Sequence, residues 1–95
     1  METKEWSVRI DITEEGDGTF ARAVLFTRDR TSLAGVGTAR RNPIDRSVPE
    51  IGDELAAGRA LADLAHKLLV VTADDIAELA GRRPGFAGGT PSGRA

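Results

Sequence analysis

The chain contains no cysteine and no tyrosine, and only one histidine, one tryptophan and one methionine. Without cysteine it can have no disulfide framework, no thiolate metal site and no thiol nucleophile. That absence fits a reducing compartment. No apolar run approaches the roughly 18 residues that span a bilayer. The opening Met1-Glu2-Thr3-Lys4-Glu5-Trp6 is acidic and polar, which predicts no secretory leader and a cytoplasmic protein. With 95 residues there is room for one domain and one modest core.

Groups that could do chemistry are as scarce as thiols. The serines are scattered at positions 7, 32, 47 and 92, and none pairs with a base. His66 falls at the edge of a helical apolar arc, where a flank residue is the plain reading. Asp53-Glu54 and Asp74-Asp75 fall in the first turns of expected helices, where acids oppose the helix dipole. Metal-ligand spacing is missing. The chain is expected not to be an enzyme, and to carry no cofactor and no metal.

What is present begins with alternation. Trp6, Val8, Ile10 and Ile12 alternate with Ser7, Arg9, Asp11 and Thr13, the period of a strand with one buried face. Glu14-Glu15-Gly16-Asp17-Gly18 predicts a hairpin connection. A second strand follows over 19–27, apolar on both faces. Arg28-Asp29-Arg30 makes the next turn, and a third strand covers 32–41. Glycine weakens a strand unless something must approach closely. Gly35 and Gly37 therefore mark either a low floor for a helix, together with Ala21, Ala23 and Ala39, or a bulge. A phosphate cradle at Gly35-Val36-Gly37 lacks the fuller glycine spacing and the lysine.

Ser47 and Glu50, with Pro49 between them, have the spacing of a capping box that opens a helix running to about Val70. At about 100° per residue, Ile51, Leu55, Gly58, Ala62, Ala65 and Leu69 stack in one arc, widened by Leu61, Leu64 and Leu68. Asp53, Arg59, Asp63 and Lys67 lie opposite. Thr72 and Asp75 repeat the capping spacing and predict a short second helix that closes at Gly81. The expected class is α+β, a three-stranded antiparallel meander followed by a long and a short helix (β-β-β-α-α). Residues 1–5 form an extension, 6–81 the domain, and 82–95 a tail too poor in apolar groups to order itself.

The arc is wider than a three-stranded sheet needs for cover. That surplus, with the two-faced second strand, predicts a homodimer. Candidate contacts are Phe20, Val24 and Phe26 of the strand and Leu61, Leu64 and Leu68 of the helix. Glu54 falls inside the arc and would need a partner, either a strand arginine such as Arg40 or Arg41 or a group across an oligomer contact.

Charge is unevenly spread. Residues 1–20 carry −4, residues 21–46 carry +4, and residues 47–81 carry −5, within a total of −2. The basic middle holds Arg22, Arg28, Arg30, Arg40, Arg41 and Arg46, the candidate polyanion-binding set. Solvated strand and turn arginines are the plainer alternative.

Asn42-Pro43, Val48-Pro49-Glu50-Ile51-Gly52-Asp53-Glu54-Leu55 and Ala60-Leu61-Ala62-Asp63-Leu64, with Gly35-Val36-Gly37, Ala39-Arg40 and Arg22, form a recognisable set. Over about residues 6–80 the chain closely resembles a family of small actinobacterial proteins catalogued as a domain of unknown function. Mycobacterial members belong to it, some associated with dormancy. The resemblance implies a fold like the double-stranded-RNA-binding domain, a homodimer, and a likeness to ribosome hibernation factors. It implies no catalytic or ligand residues. Two functions are therefore expected to compete: a dimer that contacts RNA or the ribosome under stress, and a protein-interaction module with no nucleic-acid role.

Overall fold

The computed structural model describes residues 1–29, 33–42 and 48–82. Three strands, β1 (Ser7–Glu15), β2 (Gly18–Phe26) and β3 (Leu33–Arg40), form an antiparallel meander in the order β1-β2-β3. One helix follows, α1 (Pro49–Arg82). The expected α+β sheet-and-helix architecture is present.

The first hairpin is tight because Glu15 pairs with Gly18, leaving Gly16 and Asp17 as a two-residue loop. Gly16 sits at φ 60°, the positive φ that the first position of a II′ turn requires. Arg41 fastens the same end of the sheet. Its amide donates to the Asp17 carbonyl at 2.9 Å, and its guanidinium meets the Asp17 carboxylate at 2.6 Å.

The helix lies on one face of the sheet, over β2 and β3, and its seat is built of small residues. Ala21, Ala23 and Leu25 of β2 and Ala39 of β3 meet Ala56, Ala60 and Leu64 of α1, with Leu33 and Leu68 packed against them. A methyl group on Gly35 would overlap the Ala60 carbonyl and the Leu64 backbone, and one on Gly37 would overlap the backbone of Ala56 and Ala60. The low-floor reading of the glycines therefore holds. Helix backbone rests directly on strand backbone.

That close approach decides which side of the helix faces the sheet. The arc of Ile51, Leu55, Gly58, Ala62, Ala65 and Leu69 points away from the sheet and is exposed throughout. The stripe facing the sheet is Ala56-Ala60-Leu64, because only small side chains let the backbones come together over Gly35 and Gly37. Glu54 turns outward with the arc. It is exposed, which corrects the expectation of a buried, paired acid there.

The expected second helix is a continuation of the first. The Thr72 hydroxyl donates back to the Leu68 carbonyl at 2.9 Å instead of capping a new start, and no glycine or proline interrupts the chain there. At about 1.5 Å per residue the 34-residue helix is about 51 Å long, against about 30 Å for a nine-residue strand. Its last turns, beyond Leu68, therefore overhang the sheet. The helix start shows an Ile51 amide donating to the Val48 carbonyl at 3.0 Å. The capping role expected of Ser47 and the tail expected beyond Arg82 lie outside the described residues.

Candidate functional site

The two edges of the sheet are treated differently. On β3 three outward backbone groups are bonded by helix side chains. The Val36 amide donates to Asp63 Oδ2 at 2.9 Å, Lys67 Nζ to the Ala34 carbonyl at 3.0 Å, and Arg59 Nη1 to the Thr38 carbonyl at 2.8 Å. Lys67 also pairs with Asp63 at 3.0 Å. The Val36 amide and, after it, Lys67 hold the Asp63 carboxyl below its ordinary range. These residues were expected on a solvated face, but they close an edge that would otherwise accept another strand.

β1 has no such cover. All nine of its residues are exposed. Val8, Ile10 and Ile12 pair with Leu25, Ala23 and Ala21, so they share the helix-bearing face but lie beside the helix, not beneath it. One acid on that side is perturbed. Glu14 is held above its ordinary value of 4.5, first by a hydrogen bond with the Asp53 carboxylate and then by that group's charge. Asp53 Oδ1 is buried with no hydrogen-bond donor among the described residues.

The helix adds a second open surface. Ile51, Leu55, Gly58, Ala62, Ala65, Leu69, Thr72, Ile76 and Leu79 follow one another in alternating steps of four and three, the spacing of a coiled-coil seam. All are exposed, Leu69 at 69%, Ile76 at 62% and Leu79 at 63%. Of the expected dimer contacts, Leu61, Phe20 and Phe26 are exposed. Leu64 and Val24 are buried within the chain and Leu68 is partly buried against the core, so most of their surface is already covered. Leu64 and Leu68 help to hold the helix on its own sheet.

The third open surface is the sheet face opposite the helix. Cross-strand rows there read Glu15-Gly18-Arg40, Thr13-Phe20-Thr38, Asp11-Arg22-Val36 and Arg9-Val24-Ala34. Phe20, Phe26 and Val36 are exposed on it, while Val24 is buried at its centre. Of the six candidate arginines, the structure brings Arg22 and Arg40 together on this face. Arg28 is exposed just past β2. Arg41 is half-buried at the hairpin with Asp17, and Arg30 and Arg46 lie outside the described residues.

A groove of about 350 Å³ lies where the hairpin end of the sheet meets the helix start, lined by Thr19, Arg40, Asn42, Pro49, Ile51 and Leu55 among others. No helix of the described residues is long and apolar enough to cross a membrane.

This arrangement of three strands and one overhanging helix is matched in known proteins. The Rv2632c-like family model covers residues 4–84. The chain belongs to that family. An uncharacterised protein of Mycobacterium tuberculosis strain CDC 1551, MT1780, is 51% identical over 73 residues, 77% of each chain. The uncharacterised protein Rv2632c of strain H37Rv is 44% identical over 73 residues, again 77% of each. The crystal structure of Rv2632c superposes with a TM-score of 0.77 at 40% identity, covering 88% of this chain and 98% of that one. Membership in the Rv2632c-like family thus accompanies the same fold, and MT1780 and Rv2632c are themselves uncharacterised proteins.

Proposed function

We propose that this member of the Rv2632c-like family is a non-enzymatic homodimer that associates with RNA, as on the ribosome, under stress or dormancy. The observation that carries the reading is the division of charge between the two faces of the sheet. The helix side collects the acids Glu14, Glu50, Asp53 and Glu54, whereas the opposite face carries Arg9, Arg22 and Arg40 against Asp11 and Glu15, a small basic excess. A domain that grips duplex RNA at a helix start would need cations there. Glu50, Asp53 and Glu54 oppose that mode and leave the arginine-bearing sheet as the working face.

Dimerisation is supported by the outward helix seam and by the uncovered Val8, Ile10 and Ile12. Sedimentation of ribosomes from stationary cells tests the association. The protein should travel with ribosomal particles at low salt and leave them at high salt. A protein that stays at the top of the gradient in both salts would overturn the reading.

A second reading, a protein-interaction module with no nucleic-acid role, is favoured by the same apolar seam. It predicts that replacing Arg22, Arg40 and Arg41 together leaves partner capture unchanged.

A further inference from the structure

We propose that the helix-free face of the sheet binds single-stranded RNA by stacking a base on Phe20 between Arg22 and Arg40. The inference rests on the RNA-associating reading above and goes further, naming the strand state of the RNA and the ring that holds it.

Phe20 lies on the central strand and is 42% exposed. Its ring runs back along the strand over Gly18. A Cβ on that glycine would stand 3.2 Å from Phe20 Cε2 and 3.3 Å from Cζ. Glycine at 18 therefore makes room for a ring lying along the sheet, where a base can stack on it. Arg40 is the cross-strand partner of Gly18, and Arg22 lies two residues from Phe20 on the same face, so a cation flanks the ring on each side.

Neither arginine has an ion pair among the described residues. The acid opposite Arg22 is Asp11, and its carboxylate is engaged by Arg9 at 3.1 Å. Glu15, opposite Gly18, is the acid that opposes an anion here. It leaves the two arginines in excess. Two cations with no ion pair among the described residues suit an anionic partner, and an exposed ring between them suits a planar group.

A single-stranded nucleic acid supplies both, since each base has a stacking face and each nucleotide a phosphate. A paired duplex would offer this flat face its backbone but not its bases. The hydroxyls of Thr13 and Thr38 flank Phe20 in the same row, where a ribose 2′-hydroxyl can exchange hydrogen bonds with them. A shallow concavity of about 340 Å³ adjoins the ring on its Arg22 side, lined by Asp11, Thr13, Phe20, Arg22, Val36 and Thr38 among others.

The test is fluorescence anisotropy with a labelled twelve-nucleotide oligouridine, using the full chain at about 50 mM salt. Phe20→Ala should weaken binding roughly ten- to a hundred-fold, and Phe20→Trp should retain it. The double variant Arg22→Gln, Arg40→Gln should lower the slope of log affinity against log salt by about 1.4. Circular dichroism checks that each variant folds, and Phe20→Leu keeps the apolar bulk if the alanine variant does not fold.

Wild-type affinity in the Phe20→Ala or Phe20→Leu variant would overturn the proposal. So would equal affinity for the matching oligothymidine, or tighter binding of an RNA hairpin than of the oligouridine. A fall in particle mass on Phe20→Ala would mark the face as a contact between copies of the chain, which also overturns it. If ribosomes carry the protein but oligouridine does not bind, the RNA association stands and the stacking site falls.

Discussion

The two edge strands of one small sheet have opposite fates. β3 is seated under the helix, and three of its outward backbone groups are bonded by Asp63, Lys67 and Arg59. β1 has only the edge of the helix near it and carries Val8, Ile10 and Ile12 uncovered. The difference follows from helix placement. A 34-residue helix laid over β2 and β3 leaves the β1 floor without a lid, and its own outward seam without a partner. Nothing among the described residues covers either, and the proposed second copy would offer what each lacks.

The largest effect should come from lifting the helix off its seat. Gly35→Val or Gly37→Val drives a side chain into the backbone of α1 and should cost about 3 kcal/mol or more in urea unfolding. A loss under about 1 kcal/mol would mean the helix is not packed this closely.

The contrast between the edges sharpens at Ile10. Because it lies beside the helix, Ile10→Thr should cost only about 1 kcal/mol in a dilute single chain. If a second copy covers β1, the wild-type unfolding midpoint should rise with protein concentration and the variant's should rise less. A midpoint independent of concentration in both would leave β1 open in solution.

Smaller effects belong to the two perturbed acids, which report on opposite edges. Asp63 titrates below its ordinary range when folded, so its contribution is present above the unfolded value of about 4. It is lost as pH falls through the lower folded value. Asp63→Asn should flatten the acid limb of the stability profile, and an unchanged limb would mean the Val36 amide bond is not formed. Glu14 behaves in the reverse sense. Its folded value is raised by the hydrogen bond with Asp53 and by that group's charge, so its contribution is present in acid and lost as pH rises through that value. Glu14→Gln should therefore make the protein slightly more stable than wild type at neutral pH. A variant less stable there would contradict repulsion between the Glu14 and Asp53 carboxylates.

Much of this was legible in the residues. Period-two alternation located the strands, and the glycine pair signalled a close helix. The side of the helix that faces the sheet was not legible. By hydrophobicity the Ile51-Leu55-Leu69 arc outweighs the Ala56-Ala60-Leu64 stripe, but the glycine floor selects for size, and alanine fits where isoleucine cannot. The same inversion hid the role of Asp63 and Lys67, polar residues whose partners are backbone groups of a strand about thirty positions earlier. The spacing of Thr72 and Asp75 misled because a threonine hydroxyl can bond backward within a helix as readily as cap the next one. For the candidate site, the sequence supplied arginines without saying which share a face. Register alone sets Arg22 and Arg40 beside Phe20 and sends Arg41 to Asp17.

The most direct measurement is the mass of the particle by light scattering, for the wild type and for the double variant Leu69→Glu, Ile76→Glu on the outward seam. One chain is 10.1 kDa. The account predicts twice that mass for the wild type at micromolar concentration, and a folded single chain for the variant. A wild-type particle of one chain, or a variant that keeps the doubled mass, would contradict the claim that a second copy covers what the first leaves open.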